Sequence, residues 1–225
     1  SVSSQLILSK SPMVQFIDKF EHLLGYPYGC IEQVTSKAFP QLYFKDFVGL
    51  IQKGKKPQMK SGENELNPNT NIMAAIHKIE TQQLPNGGLA YWTGSDKESW
   101  WGSVYACHFL IEAQKADYEI NINTLGRLLE YINNRANKKE TETASLYDPA
   151  TGSSTQSTIA SRENIYGLYV LALSGKPNRA VMNYYKANQQ LLSLDERYLL
   201  AGAFAQIGDP KSQASIMPNQ FVMNN

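Results

Sequence analysis

Cys30 and Gln33 are the two residues of this chain whose types and spacing point to covalent chemistry. Cys30 directly follows Gly29, and Gln33 lies three residues further on. Pro27 and Gly29 break any preceding helix, so a new helix can begin at or near Cys30. Residues three apart on a helix share a face, which lets the Cys30 sulfur meet the Gln33 carboxamide. A thiol at a helix N-terminus also sits at the positive end of the dipole, which favours the thiolate. That thiolate can attack the Gln33 amide carbon and expel ammonia, leaving an internal cysteinyl–glutamyl thioester. The plainer alternative is an inert, buried cysteine near a helix start, since free cysteine is among the most buried residue types. Cys107 is the second of the two cysteines, so no disulfide framework exists, and a Cys30–Cys107 bridge is a further alternative.

The elements that must position this pair are helical. Residues 1–10 alternate weakly and read as a strand end or linker from a preceding domain. A helix is expected over 13–24, where Met13, Phe16, Ile17, Phe20, Leu23 and Leu24 repeat at three and four, with Gly25 ending it. The helix carrying Cys30 is expected over about 30–48, kinked or divided at Pro40, with Cys30 at the surface near its start. Residues 52–69 read as a solvated loop in which four lysines lie among Gly, Pro and Asn. Helices are then expected over 70–82, 98–115, 122–136, 158–173, 179–192 and 194–207. The 98–115 helix is apolar nearly all round and therefore buried among others. Asn86-Gly87-Gly88 is a turn, and Ser174-Gly175 and Gly208-Asp209-Pro210 are stops. Residues 138–156 are polar and broken by Asp148-Pro149 and Gly152, so they read as a long loop. No strand pattern is evident after residue 10, and the expected class is all-α.

Composition narrows the function. A hydrophobic fraction of 42% with 18% charged residues is ordinary for a globular chain. The net charge of +1 gives no reason to expect a nucleic-acid or anionic-membrane partner. No run is long and apolar enough to insert in a bilayer. The N-terminus lacks the basic-then-apolar pattern of a signal peptide, and the chain reads as a piece of a longer exported precursor. His108 and Cys107 are adjacent and point apart on a helix, so neither a metal site nor a cofactor is expected.

The motif Tyr26-Pro27-Tyr28-Gly29-Cys30-Ile31-Glu32-Gln33, followed by Phe39-Pro40, resembles the thioester motif of the alpha-2-macroglobulin and complement family, its bacterial branch in particular. Ile31 stands where the animal proteins usually carry glycine. A second stretch, Asn86-Gly87-Gly88-Leu89-Ala90-Tyr91-Trp92, resembles the family's Asn-Gly-Gly loop, and the sequence from Trp100 resembles the helix after it. Tyr166-Gly167-Leu168-Tyr169-Val170-Leu171-Ala172 is a weaker third match.

The resemblance implies a thioester-containing helical domain over 11–225, folded as an α/α toroid of paired helices in two concentric rings and incomplete at its C-terminal end. Spacings of about 40–50 residues between helix pairs are compatible with such repeats. It also implies a covalent protease trap and not a turnover enzyme. Cys30 and Gln33 would carry the bond, Glu32 and Gly29 would shape the loop, and Tyr26 and Tyr28 would keep water off it. Implied partners are target proteases captured through lysine amines, and other domains of the same chain that shield the thioester. The implied location is the periplasm or cell envelope. In some complement relatives a histidine from a downstream loop first takes the acyl group, which makes hydroxyls good acceptors. Residues 138–156, which align with that loop, contain no histidine. Two other classes remain: a helical binding module with an inert cysteine, and an α/α-toroid enzyme, which needs paired carboxylates of which Glu140 and Glu142 are the nearest approach.

Overall fold

The computed structural model describes residues 27–44, 67–148 and 151–218. The expected segments 1–10 and 13–24, Tyr26, and most of the 52–69 loop lie outside the described residues. Helix α1 spans Ile31–Phe44 and contains Pro40; residues 45–48 of the expected helix are again outside. Helix α2 spans Pro68–Thr81. Short strands β1 (Leu89–Ala90) and β2 (Glu98–Ser99) pair antiparallel and lead into α3 (Trp100–Lys115). Helix α4 spans Ile122–Asn137, and strands β3 (Thr141–Asp148) and β4 (Ser153–Ala160) follow as an antiparallel hairpin. The described chain ends with α5 (Arg162–Leu173), α6 (Arg179–Ala187), a 3-10 turn at Gln189–Leu191, α7 (Leu194–Gln206) and α8 (Pro210–Ile216).

Helices dominate, and the all-α class holds, but four sequence expectations need correction. Within the expected 138–156 loop, 141–148 form β3 and 153–156 begin β4, so strands do occur after residue 10. Helix α5 consequently starts at Arg162 and not at 158, capped by Ser161, whose side chain accepts the Asn164 N–H. Gly208-Asp209-Pro210 ends one helix but also begins another: Asp209 caps α8 by accepting from Ser212 N–H, and Pro210 occupies the first turn. Asn67-Pro68 plays the same part for α2, two residues ahead of the expected start.

The odd-numbered helices form one file, with α1 on α3, α3 on α5 and α5 on α7. Three even-numbered helices lie against that file, α2 on α1, α4 on α3 and α5, and α8 on α7, while α6 packs on α8 and the 3-10 turn. Helix α3 is enclosed by both sets, which is why Val104, Cys107, Phe109 and Leu110 are all buried on it. One apolar core spans α1 to α4 and takes in Val170 and Leu171 of α5, a second spans α5 to α8 and takes in Ala136 of α4, and Tyr169 packs against both. The hairpin is tied to this frame at its base. Arg135 of α4 pairs with Glu98 at 2.7 Å and Glu140 at 2.6 Å while lying over the Trp100 ring.

Between α1, α3 and α5 lies His108, its Nδ1 2.7 Å from the Tyr166 hydroxyl and its ring edge-on to Phe39, Tyr166 and Tyr169. Burial lowers its pKa to about 4, against a smaller opposing pull from Glu112 and with Lys115 adding to the decrease. The unfolded chain takes up this proton near pH 6.5, and the folded chain resists it until about pH 4. Stability should therefore be full above pH 6.5 and fall through that window, by at most about 3 kcal/mol. Thermal melts at pH 7 and pH 4.5 test this: His108→Gln should lose less than the wild type on acidification, and equal losses would exclude His108 as the source.

Candidate functional site: the N-terminus of α1

Cys30 occupies the N-cap of α1. Its carbonyl accepts the first helical hydrogen bond from Val34 N–H at 2.9 Å. Gln33, in the first turn, folds its side chain back so that Oε1 accepts the Cys30 N–H at 3.1 Å. This is the reach-back half of a capping box, with a thiol where serine or threonine usually stands. Ordinary helix capping thus draws the carboxamide toward the residue that carries the nucleophile.

Gly29 makes the space. Its φ is +122°, and a Cβ there would fall 2.1 Å from Gln33 Oε1 and 2.9 Å from Gln33 Cδ. Only glycine combines that backbone with that clearance. The Gly29 carbonyl is held from the far side by Lys78 of α2, whose Nζ donates to it at 3.0 Å.

The β1–β2 segment closes the other flank. Ile31 N–H donates to the Tyr91 carbonyl at 3.0 Å, and Tyr91 N–H donates to the Lys97 carbonyl at 3.0 Å. The neighbouring Cys30 side chain, with a smaller contribution from Glu32, raises the Tyr91 pKa above its usual value. Ile31 is fully buried against α3. The approach is so close that a Cβ on Gly102 would lie 2.4 Å from Ile31 Cγ2. Glu32 accepts from the Ser99 hydroxyl at 3.3 Å, and Ser99 is the N-cap of α3. The two helix starts are therefore stitched together beside the thiol.

Cys30 is not at the surface as expected; it is 3% exposed. Gln33 is exposed. Tyr28 is 66% exposed. Tyr26 lies outside the described residues. Cys30 and Cys107 are both unbridged. Cys107 is fully buried on α3, and burial pushes its thiol pKa well up, which makes it a packing residue. Among the described residues no group of three His, Cys, Asp or Glu side chains converges as a metal site. No described helix is long and apolar enough to cross a membrane.

Chemically, the arrangement suits acyl transfer. Attack on Gln33 Cδ would build negative charge on Oε1, and that oxygen already rests on the Cys30 N–H at a helix N-terminus. Two contributors were missed from sequence. Tyr91 belongs to the Asn86-Gly87-Gly88 stretch, yet nothing in its spacing placed its carbonyl on the Ile31 N–H beside Cys30. Lys78 carried no signal at all.

No protein-family model matches this chain. Its homologues are bacterial alpha-2-macroglobulins. Alpha-2-macroglobulin of Escherichia coli (strain K12) is 29% identical over 136 residues, which is 59% of this chain and 8% of the relative. Alpha-2-macroglobulin of Rickettsia conorii is 26% identical over 185 residues, 82% of this chain and again 8% of the relative. The chain thus spans a small fraction of the curated relatives it matches.

Among solved structures, native E. coli alpha-2-macroglobulin from domain MG7 to the C-terminus matches with TM-score 0.66 and 21% identity, over 92% of this chain and 30% of that one. Trypsin-activated E. coli alpha-2-macroglobulin gives 0.63 and 20%, over 86% and 13%. Salmonella alpha-2-macroglobulin reacted with methylamine gives 0.62 and 24%, over 91% and 12%. At these identities the likeness establishes the fold.

Proposed function

We propose that this chain is the thioester-bearing domain of a bacterial alpha-2-macroglobulin-like protease inhibitor, a single-use covalent trap and not a turnover enzyme. The observation that carries the reading is the Gln33 carboxamide oxygen seated on the Cys30 N–H, over a glycine that leaves room for nothing larger. Cys30 sulfur attacks Gln33 Cδ, the C–S bond forms, the C–N bond breaks, and the thiol proton leaves with nitrogen as ammonia. A lysine amine of a captured protease later attacks the same carbon, forming an amide and releasing the Cys30 thiol. The methylamine-reacted and trypsin-activated relatives agree with an amine-sensitive site in a protease-responsive protein.

The finer expectations belong to this proposal. The alternation of odd and even helices supports an α/α toroid over residues 11–225. Other domains of the parent chain shield the site, and exposed aromatic side chains beside it give them a docking surface: Tyr28 at 66%, Trp92 at 52% and Tyr91 at 37%. The location is the periplasm or cell envelope.

The inert-cysteine reading has one observation in its favour: a capping box brings Gln33 to Cys30 without any covalent purpose. The toroid-enzyme reading gains nothing from Glu140, which is engaged by Arg135 at 2.6 Å. Intact mass of the full-length protein separates trap from module. The trap should be lighter by one ammonia, resist thiol reagents at Cys30, and gain methylamine together with a titratable thiol. An unshifted mass with a freely alkylated Cys30 would leave only the binding module.

A further inference from the structure

We infer that Lys78 is a positioning residue of the thioester: its ammonium holds the Gly29–Cys30 peptide so that the Cys30 N–H faces the Gln33 oxygen. The inference deepens the thioester reading above and rests on it. The Gly29 carbonyl and the Cys30 N–H belong to one peptide unit, and in a planar trans peptide they point in opposite directions. No described peptide bond is cis. Lys78 Nζ donates to the carbonyl end at 3.0 Å, and Gln33 Oε1 accepts from the N–H end at 3.1 Å. The unit is therefore gripped from both sides, by α2 on one and by the reacting carboxamide on the other. Gly29 makes the grip necessary. It sits at φ +122°, and glycine tolerates so many backbone angles that the peptide after it can rotate at little cost. A rotated unit would turn the N–H away from the Gln33 oxygen.

Lys78 lies in the last turn of α2, where a cation commonly serves the terminal carbonyls of its own helix. Here the Ile79 and Glu80 carbonyls accept the Gln82 N–H instead, and the ammonium crosses to the start of α1. Among the described residues no carboxylate pairs with it. Its backbone is well anchored, because the next residue, Ile79, is fully buried in the same core as Ile31 and Val34. A charged donor on the carbonyl also polarises the peptide, which makes the N–H at its other end a stronger donor. That matters most as charge develops. Attack on Gln33 Cδ, by sulfur in cyclisation or by an amine in capture, moves the carbonyl electron pair onto Oε1. Collapse then restores the carbonyl, breaking the C–N bond in cyclisation and the C–S bond in capture. Lys78 keeps its proton throughout: the thiol proton leaves with ammonia, and the amine proton ends on the Cys30 sulfur.

Lys78→Met in the full-length protein tests the inference, because it keeps the apolar stem and removes the charged donor. Thiol release by methylamine is followed by thiol titration, and ammonia loss by intact mass. Release should slow by about tenfold, less than the hundredfold or more that deleting an oxyanion donor itself costs. Lys78→Arg restores a cationic donor and should recover most of the rate. Both should melt with the wild type, since α2 is held to α1 by buried apolar residues. A Lys78→Met protein that retains its Gln33 nitrogen at an unchanged melting temperature, while Lys78→Arg loses ammonia, also supports the assignment. A merely structural tie would behave otherwise: its loss would lower the melting temperature and admit nucleophiles faster. Release from Lys78→Met as fast as wild type or faster would overturn the inference, and so would Lys78→Arg no faster than Lys78→Met. Should Lys78→Met not fold, Lys78→Gln, shorter and neutral, is judged by the same rates. If wild type couples methylamine and Lys78→Met does so equally fast, only this inference fails. If wild type shows no ammonia loss, the thioester reading fails and takes this inference with it.

Discussion

Gly29→Ala should give a folded protein that cannot close the Cys30–Gln33 bond. An alanine Cβ would lie 2.1 Å from Gln33 Oε1 and 2.8 Å from Gln33 Cβ, on a backbone at φ +122°. The carboxamide can escape by swinging out into solvent, while Gln33 Cβ is fixed to the helix, so the backbone at position 29 must also shift away from it. That movement breaks the contact with the Cys30 N–H and takes Cδ out of reach of the sulfur. Holding reacting atoms in contact can be worth an effective molarity of about 10⁵ M or more, so even a small displacement should cost most of the reaction. The fold itself should survive, because both apolar cores lie within and between helices. Backbone strain at the glycine should cost about 1–3 kcal/mol. Gly175→Ala is the control: its φ is also positive, at +76°, but nothing lies within 4 Å of its Cβ position. Intact mass should show the Gly175 variant lighter by one ammonia and the Gly29 variant not. Ammonia loss persisting in Gly29→Ala would mean that the carboxamide does not need the space Gly29 provides.

The same residues show what could be read in advance. The pairing of Cys30 with Gln33 is local, set by helix geometry over three positions, and it was legible from spacing. The helices with long apolar stripes, such as Leu125, Leu128, Leu129 and Ile132 on α4, were equally plain, because each buries one face. The hairpin was not. Thr141, Glu142, Thr143 and Ser153 to Thr155 are all exposed, so β3 and β4 lack the alternation that marks a half-buried strand. Their pairing rests on backbone hydrogen bonds, and the surviving hint was the run of threonines, a β-branched residue. The starts of α2 and α8 were misjudged for one shared reason: Asn67-Pro68 and Asp209-Pro210 look like breakers, yet each is an N-cap followed by proline in the first turn. Tyr91 and Lys78 reach Ile31 and Gly29 only through tertiary packing, which no local pattern encodes.

Methylamine should couple to the activated full-length protein far faster than glycerol does. Where a histidine first accepts the acyl group, as in some complement relatives, hydroxyls become good acceptors. This chain has three histidines, at positions 22, 77 and 108. His22 lies outside the described residues. His108 is packed among Phe39, Tyr166 and Tyr169, with its Nδ1 engaged by a hydroxyl. His77 is exposed on α2 and is not joined to the site by any bond found for it, whereas the adjacent Lys78 donates to Gly29. The segment that aligns with the histidine loop is instead the β3–β4 hairpin, which carries none. Direct attack on Gln33 Cδ is then the open route, and a neutral amine is a much stronger nucleophile toward a thioester than an alcohol. Parallel incorporation of labelled methylamine and labelled glycerol after protease treatment measures the ratio, which should favour the amine by about a hundredfold or more. Comparable incorporation of glycerol would require a general base within reach of Gln33, and repeating the assay with His77→Gln would show whether His77 is that base.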